Sequence, residues 1–555
     1  MRWQLEWRRF LLWLLLVWAC YATIEVLYIT RMPLVMDEFQ GAYSVHQFAS
    51  ALPYRDFDPY KTVLGYYAQL PALEAPHDLW RGMLAVKFEM AAAVLLTFLA
   101  VTFSLRRRFD SGPLLLSSAM LVAMSEFAER SGDLRVDMLT ALAGLVAFVA
   151  LLNRRPGAAG AIAAISVLIS QKGVLFVVAS GAVLAIDLIV DLTGDLTGDL
   201  PLEKDRGAVL RRGTVFAASF AVVMLAYLAI WSIASSPQVV LHAVFGTAAR
   251  VARIEVYSIR TRFWVQTLTR NPLYWLLAVL SIPILLRRWR DPLLRSIGVY
   301  GAVILLLGVL YRQPWPYFFV ILCPTVFVLH AALLQQIVSP GLRRIAAVGC
   351  LLLAVAYPLT RLRTTLERDS AEQRWTVEFA HAILAPTEHY FAGVDMLWDR
   401  DQEPAGWRWL DAGTAQQLQA KTPEQLQSIA MQIRRAPIKL VIGSYRTANL
   451  PAPLGKILDS DFQRLWGNVS IYAPRLRPGS FTLKFAGSYR LQSSAQATLD
   501  GHLVNPEGMV ALGQGAHTLT SGNPVRLQLI PPGWLAYADP RFAQISDLYR
   551  GVYTY

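Results

Sequence analysis

The run FLLWLLLVWACYATIEVLYI (residues 10–29) leads, after a short connection, into Met36-Asp37-Glu38-Phe39. An α-helix needs about 20 apolar residues to cross a bilayer. The run lacks a small-residue cleavage site, so it reads as a retained helix and not as a removed signal peptide. Asp37 and Glu38 then fall where that helix leaves the bilayer. Carboxylates at that depth are costly and usually mark a site.

Composition points the same way. The chain has 555 residues, of which 55% are hydrophobic and 16% charged, and its mean hydropathy is +0.39. A soluble protein carries about a quarter charged residues. The surplus apolar surface must face lipid, so the chain reads as an α-helical polytopic membrane protein. Lys and Arg total 52 against 39 Asp and Glu, a formal net charge of +13. Most of that excess lies in short loops between apolar segments, so it reports topology and not a nucleic-acid partner. Cys20, Cys323 and Cys350 all lie in apolar segments, which leaves no disulfide framework or thiolate metal cluster in the polar regions.

Apolar spans are expected near 10–29, 83–104, 113–128, 136–152, 157–171, 173–190, 214–234, 272–286, 295–311, 317–337 and 345–359, about eleven in all. The 157–190 run reads as two short helices folded back at Gln171-Lys172-Gly173, with one long tilted helix as the alternative. Basic clusters at Arg8-Arg9, Arg106 to Arg108, Arg154-Arg155, Lys204 to Arg212, Arg287 to Arg295 and Arg343-Arg344 alternate with these spans. The positive-inside rule then places the N-terminus in the cytoplasm and the tail after about 360 outside. The loop 236–271 is an exception on the outer side, with Arg250, Arg253, Arg260, Arg262 and Arg270. It reads either as a solvated amphipathic surface helix or as an anion-binding face for a lipid phosphate.

Three regions follow. Residues 1–360 form the membrane domain, with the outer loop 31–82 carrying the acidic motif. Residues 361–467 form a soluble α/β segment, in which Thr422-Pro423-Glu424-Gln425 starts a helix and Lys439 to Gly443 is a buried strand. Residues 468–555 hold short strands and turns spaced as in a small β-sandwich.

Chemistry-bearing residues gather on the outer face. One carboxylate of Asp37-Glu38 can act as a general base on an acceptor hydroxyl, with the other orienting it; capping the next helix is the plainer role. Tyr54, Arg55, Asp56, Asp58, Lys61, Tyr66 and Tyr67 read as a polar pocket at the membrane face. Lys61 suits a phosphate as a compact cation, or it snorkels to the headgroups. Asp133, Arg135 and Asp137 fall in a short loop, with Asp137 at the start of an apolar run, where it should face protein or complement a helix dipole. Lys172 stands alone between apolar half-spans, and a buried lysine there should meet an anion. Arg312 lies among the boundary aromatics Tyr311, Trp315 and Tyr317 and offers a further phosphate contact. No Walker loop, dinucleotide fingerprint or zinc spacing occurs, so any reaction must draw on an activated substrate; no cofactor is expected, with a divalent metal as the open alternative.

These residues resemble the GT-C superfamily of integral membrane glycosyltransferases, within it the protein mannosyltransferase and aminoarabinose (lipid A) transferase branch. The resemblance spans about residues 10–340. It rests on Asp37-Glu38, the stretch from Asp56 to Tyr67, Arg135-Val136-Asp137, Gln171-Lys172-Gly173 and Tyr317 to Pro324. It implies a polyprenyl-phosphate sugar as donor, inversion at the anomeric carbon and catalysis mostly without a metal. Asp37 matches the catalytic base with Glu38 beside it, Asp137 the second acidic motif, and Lys61 the lysine on the donor phosphate. That lysine is usually followed by proline; here Thr62 follows.

The resulting expectation is a hexosyl- or pentosyltransferase of the bacterial inner membrane. It would act on the periplasmic face on a lipid, glycan or protein acceptor, as in lipopolysaccharide or protein glycosylation. Asp37, Glu38 and Asp137 would be catalytic. Lys61, Lys172, Arg312, Arg260 and Arg262 would hold the donor phosphate. Tyr54, Arg55, Asp58, Tyr66, Tyr67, Asp133 and Tyr317 would line the pocket. The rivals are a polyprenyl-sugar flippase and a ligase using a diphosphate-linked oligosaccharide.

Overall fold

The computed structural model describes residues 2–197, 206–247, 260–337, 359–545 and 547–549, with the single positions 341, 348 and 352. The chain divides into two compact units. The first comprises Met1–Arg31, Gln47–Ala75 and Leu84–Arg368; the second comprises Met32–His46, Pro76–Met83 and Asp369–Tyr555.

The chain is a multi-pass membrane protein with a C-terminal soluble region, but the expected eleven spans are too many. Among the described residues six helices are long and apolar enough to cross a bilayer: Glu6–Arg31, Leu79–Leu105, Gln171–Asp191, Gly207–Ala234, Pro292–Leu310 and Pro316–Gln335. A seventh is formed if Thr261–Arg270 and Pro272–Leu286, which meet at a 100° bend, count as one span. Most of the expected span 345–359, Cys350 included, lies outside the described residues, as do Lys204, Arg250, Arg253 and Arg343-Arg344.

The excess comes from helices that stop early. Ser111–Ala123 has 13 residues, Asp137–Leu152 has 16 and Pro156–Ile169 has 14. At 1.5 Å per residue these reach only about 20–24 Å, short of a hydrocarbon core of about 30 Å. Their ends have local causes. Met124 turns extended after Ala123, Pro156 can start a helix but not continue one, and Ser170 is extended. The fold-back at Gln171-Lys172-Gly173 is present as a 3-10 turn, followed by the helix Val174–Thr197. It needs glycine: a Cβ on Gly173 would lie 2.5 Å from the Ser166 carbonyl oxygen. In the first unit Pro316–Gln335 is buried along nearly its whole length, while Gly207–Ala234 exposes most of its surface.

In the second unit, strands β1 (His389–Phe391), β2 (Ile438–Ile442), β3 (Phe462–Trp466) and β4 (Val469–Tyr472) form a mixed sheet in the order β1-β2-β4-β3. The helices Pro423–Arg435 and Ala452–Asp461 pack on each other beside it. Thr422 closes the first of them with a capping box to Gln425.

Two antiparallel four-stranded sheets follow. One joins β10 (Met509–Leu512), β7 (Gly487–Gln492), β12 (Val525–Ile530) and β5 (Arg475–Leu476). The other joins β6 (Gly479–Leu483), β11 (Gly515–Thr520), β8 (Ala497–Leu499) and β9 (His502–Val504). Tyr489 and Leu491 on β7, and Leu527 and Leu529 on β12, are buried at two-residue spacing, as a half-buried strand requires.

Candidate functional site

In the first unit three distant segments converge. Asp137 opens the helix Asp137–Leu152. Its carboxylate takes the Lys172 ammonium at 2.5 Å and the Arg135 Nε at 3.1 Å. The Arg135 guanidinium lies over the Tyr317 ring, 3.4 Å from its centroid, and Lys172 sits 5.1 Å from the same ring. Asp137 therefore faces protein, and Lys172 has met its anion within the chain.

The Lys61 loop seats on the same fold-back. Thr62 donates to the Val167 carbonyl at 2.9 Å, and Gln171 donates to the Tyr60 carbonyl at 3.4 Å and to that of Val244 at 2.9 Å. The Thr62 hydroxyl thus anchors the loop to the fold-back. Lys61 donates to the Tyr66 hydroxyl at 2.9 Å and lies 4.9 Å from the Tyr60 ring centroid. Tyr54 donates to the Lys61 carbonyl at 2.8 Å and meets the Tyr227 hydroxyl at 2.7 Å. Tyr54 and Tyr60 take φ of 66° and 42°, left-handed backbone that persists only where the surroundings enforce it. Gly65 permits the close approach, since a Cβ there would stand 2.6 Å from Val136 Cγ1 and 3.0 Å from the Ile169 carbonyl. Tyr67 stacks on Trp231.

The other expected residues separate from this cluster. Asp133 is buried and turns to Lys87 at 3.7 Å and Arg130 at 3.5 Å. Arg55 pairs with Asp56 at 2.8 Å, and that pairing holds the Asp56 carboxyl down at about 2. Asp58 accepts from the Tyr60 N–H. Tyr54, Arg55 and Asp58 line an open cavity of about 490 Å³ together with Gln238 and His242. Arg312 is exposed and makes no ion pair or hydrogen bond with the cluster among the described residues. Arg262 is exposed on the helix Arg260–Arg270 and lies over the Phe263 ring; the side chain of Arg260 lies outside the described residues. Phe263 packs on Trp315, while Val265 and Leu268 stay exposed. Arg270 is bound to Glu129.

In the second unit Asp37 and Glu38 occupy the first turn of the helix Met36–Ser50. Glu38 is 1% exposed, and its carboxylate accepts the Val35 N–H at 2.9 Å. It is the capping residue of its own helix. Asp37 is half-buried. The approach to this turn is fixed by Gln373, which accepts from the Leu34 N–H at 2.7 Å and donates to the Leu34 carbonyl at 3.0 Å.

Further along the helix the Arg408 guanidinium stacks on Tyr43 at 3.7 Å and donates to Asp395 at 3.3 Å. Burial pushes the Asp395 carboxyl above its ordinary value, against the pull of Arg408. Sequence reasoning missed Asp395, Arg408 and Tyr227. None stands in a recognisable motif; the only signal was the density of charged and aromatic residues between 395 and 409.

Among the described residues no three His, Cys, Asp or Glu side chains converge on a point that could hold a metal ion.

No protein family and no curated protein matches the chain. Solved structures do. ArnT from Cupriavidus metallidurans bound to undecaprenyl phosphate superposes with a TM-score of 0.52 at 15% identity, covering 72% of this chain and 85% of that one. Its apo state gives 0.52 at 14%, covering 72% and 84%. The Archaeoglobus fulgidus oligosaccharyltransferase, in complex with Zn and sulfate, gives 0.53 at 11%, covering 96% and 100%. At these identities what the chain shares with these structures is the fold.

Proposed function

We propose that this chain transfers a sugar from a polyprenyl-phosphate carrier to an acceptor of the cell envelope. The observation that carries the reading is the convergence of Lys61, Arg135, Lys172, Asp137 and Tyr317 in the membrane domain, in a fold shared with a transferase bound to undecaprenyl phosphate. A lipid phosphate at the membrane face needs cations held in place before it arrives. Asp137 does the holding, as a positioning residue for Lys172 and Arg135.

In this reading Asp37 accepts the proton of the acceptor nucleophile. The nucleophile attacks the anomeric carbon from the face opposite the phosphate. The bond between that carbon and the phosphate oxygen breaks, the electron pair leaves with the polyprenyl phosphate, and configuration inverts. Lys61, Lys172 and Arg135 neutralise the charge that develops on the leaving group. Glu38 contributes by fixing the helix end that carries Asp37. Arg262 and Arg312 supply outer-face charge that attracts anionic lipid. In this reading the chain sits in a bacterial inner membrane, with its N-terminus in the cytoplasm and its soluble region in the periplasm. Residues 1–360 would serve as the catalytic membrane domain, with 361–467 and 468–555 as periplasmic α/β and β-rich modules.

The test compares whole-membrane lipid extracts, by mass spectrometry, from cells carrying wild-type protein and Asp37→Asn. A polyprenyl-monophosphate sugar should accumulate in the mutant, and its mass names the sugar. An unchanged pool, with the mutant folded and the pathway active, removes Asp37 as base and favours transport. A donor carrying two phosphates favours the ligase.

A further inference from the structure

The turn at 444–448 holds a cation without a counter-charge. Ser444 caps the short helix Tyr445–Ala448. The Tyr445 hydroxyl reaches the Met36 sulfur at 3.2 Å, so the residues immediately before Arg446 and before Asp37 touch. The Arg446 guanidinium lies over the Trp409 indole, 4.5 Å from the ring centroid. No carboxylate among the described residues pairs with it, and its Nη1 is closed off from solvent with no acceptor.

The neighbouring Arg408 is stacked on Tyr43 and bonded to Asp395. Its Nη2 nevertheless is also buried without an acceptor. A buried donor without a partner is destabilising. An indole attracts a guanidinium by its π face, but it leaves the in-plane N–H groups unsatisfied. A water molecule could satisfy one N–H yet would not neutralise the charge. The planar fork of arginine matches carboxylate and phosphate oxygens, and a stacked ring keeps that fork oriented.

We propose that Arg446, held over Trp409, binds an oxyanion of the acceptor, carboxylate or phosphate, beside Asp37. The inference rests on the transferase reading and adds to it the chemical class of the acceptor: a molecule carrying an anionic group near the atom that receives the sugar. Arg446 and Trp409 are specificity residues for that group, and Arg408 borders the same turn.

The test uses the full chain in detergent micelles and follows thermal unfolding against inorganic phosphate or acetate, with sodium chloride at matched ionic strength. A Lys61→Gln background removes the cation proposed for the donor phosphate. In that background one of the two anions should still raise the melting temperature saturably, and the better of the two identifies the acceptor group. Adding Arg446→Gln should weaken the apparent affinity at least tenfold, with Arg446→Lys and Trp409→Leu intermediate. Equal melting temperatures in chloride alone establish that each variant is folded; if Arg446→Gln is not, Arg446→Lys and Trp409→Leu decide. Titrations that are the same with and without Arg446, or no response to either anion, overturn the proposal. The Asp37→Asn lipid measurement reads the transferase reading separately. Donor accumulation without Arg446-dependent anion binding sinks this inference alone, and anion binding without donor accumulation sinks the transferase reading alone.

Discussion

Two adjacent acids in the sequence have different physical roles. Glu38 is buried and bonded to the Val35 N–H, so Glu38→Ala removes a cap and should cost about 1 kcal/mol of stability, on the scale of other lost caps. Asp37→Asn should leave the melting temperature nearly unchanged while abolishing transfer. Thermal unfolding of both variants checks the division, and the reverse pattern would reassign the two residues. The Lys172–Asp137 pair makes a sharper energetic statement. Asp137 is 5% exposed and Lys172 22%, so Lys172→Met leaves a buried carboxylate with one cation fewer. The loss should be about 2–3 kcal/mol, below that of a wholly buried pair because Lys172 retains some solvent. The double variant Lys172→Met/Asp137→Leu should be more stable than the sum of the single losses implies, and a double-mutant cycle measures the difference. Strict additivity would mean that the pair is not coupled. The sequence marked Asp137 and Lys172 because charge beside an apolar run is conspicuous. It could not mark Tyr227 or Arg446, whose significance is the neighbour each one meets.

At the scale of elements, short helices and their breaks shape the site. Gly65 lets the helix Leu64–Glu74 approach Val136 and the Ile169 carbonyl. Gly65→Ala should cost about 1–3 kcal/mol, as overpacking does. It should also displace Tyr66 and with it Lys61, so donor affinity falls along with the melting temperature. A melting temperature that falls while donor affinity holds would detach the loop from the donor site. The fold-back at Gln171-Lys172-Gly173 was legible from one polar tripeptide between two apolar runs. The lengths of the flanking helices were not. The apolar run from Pro113 continues through Met124, yet the helix stops at Ala123 because Met124 is extended. Hydropathy registers the solvent preference of a segment and not its backbone angles, so the eleven-span map overcounted.

For the whole molecule, the soluble region adds a pH dependence that the membrane chemistry does not. Asp500 meets His517 Nδ1 at 2.6 Å, and the other ring nitrogen faces the Gly513 carbonyl at 2.9 Å. Both ring nitrogens can donate only in the imidazolium. The bond to Asp500 holds the His517 value above its ordinary one, and the bond to His517 holds Asp500 below its own. For His517 the contribution is complete below about 6.5 and is lost as pH rises through the raised value; for Asp500 it is complete above about 3.9 and is lost as pH falls through the lowered value. His517→Gln should therefore lower the melting temperature more at about pH 5.5 than at about pH 9. Equal effects at both would remove the charge from the interaction. Sequence alone determined that the chain enters the membrane, that its last third is soluble and rich in short strands, and that acids and cations crowd one end of the apolar runs. Composition and periodicity carry that information residue by residue. Tertiary structure decided which runs are long enough to cross, that Glu38 caps while Asp37 stays half-buried, and that Arg135, Lys172 and Tyr317 share one carboxylate's surroundings. Those facts depend on backbone breaks and on contacts between residues far apart in the chain, which no local pattern encodes.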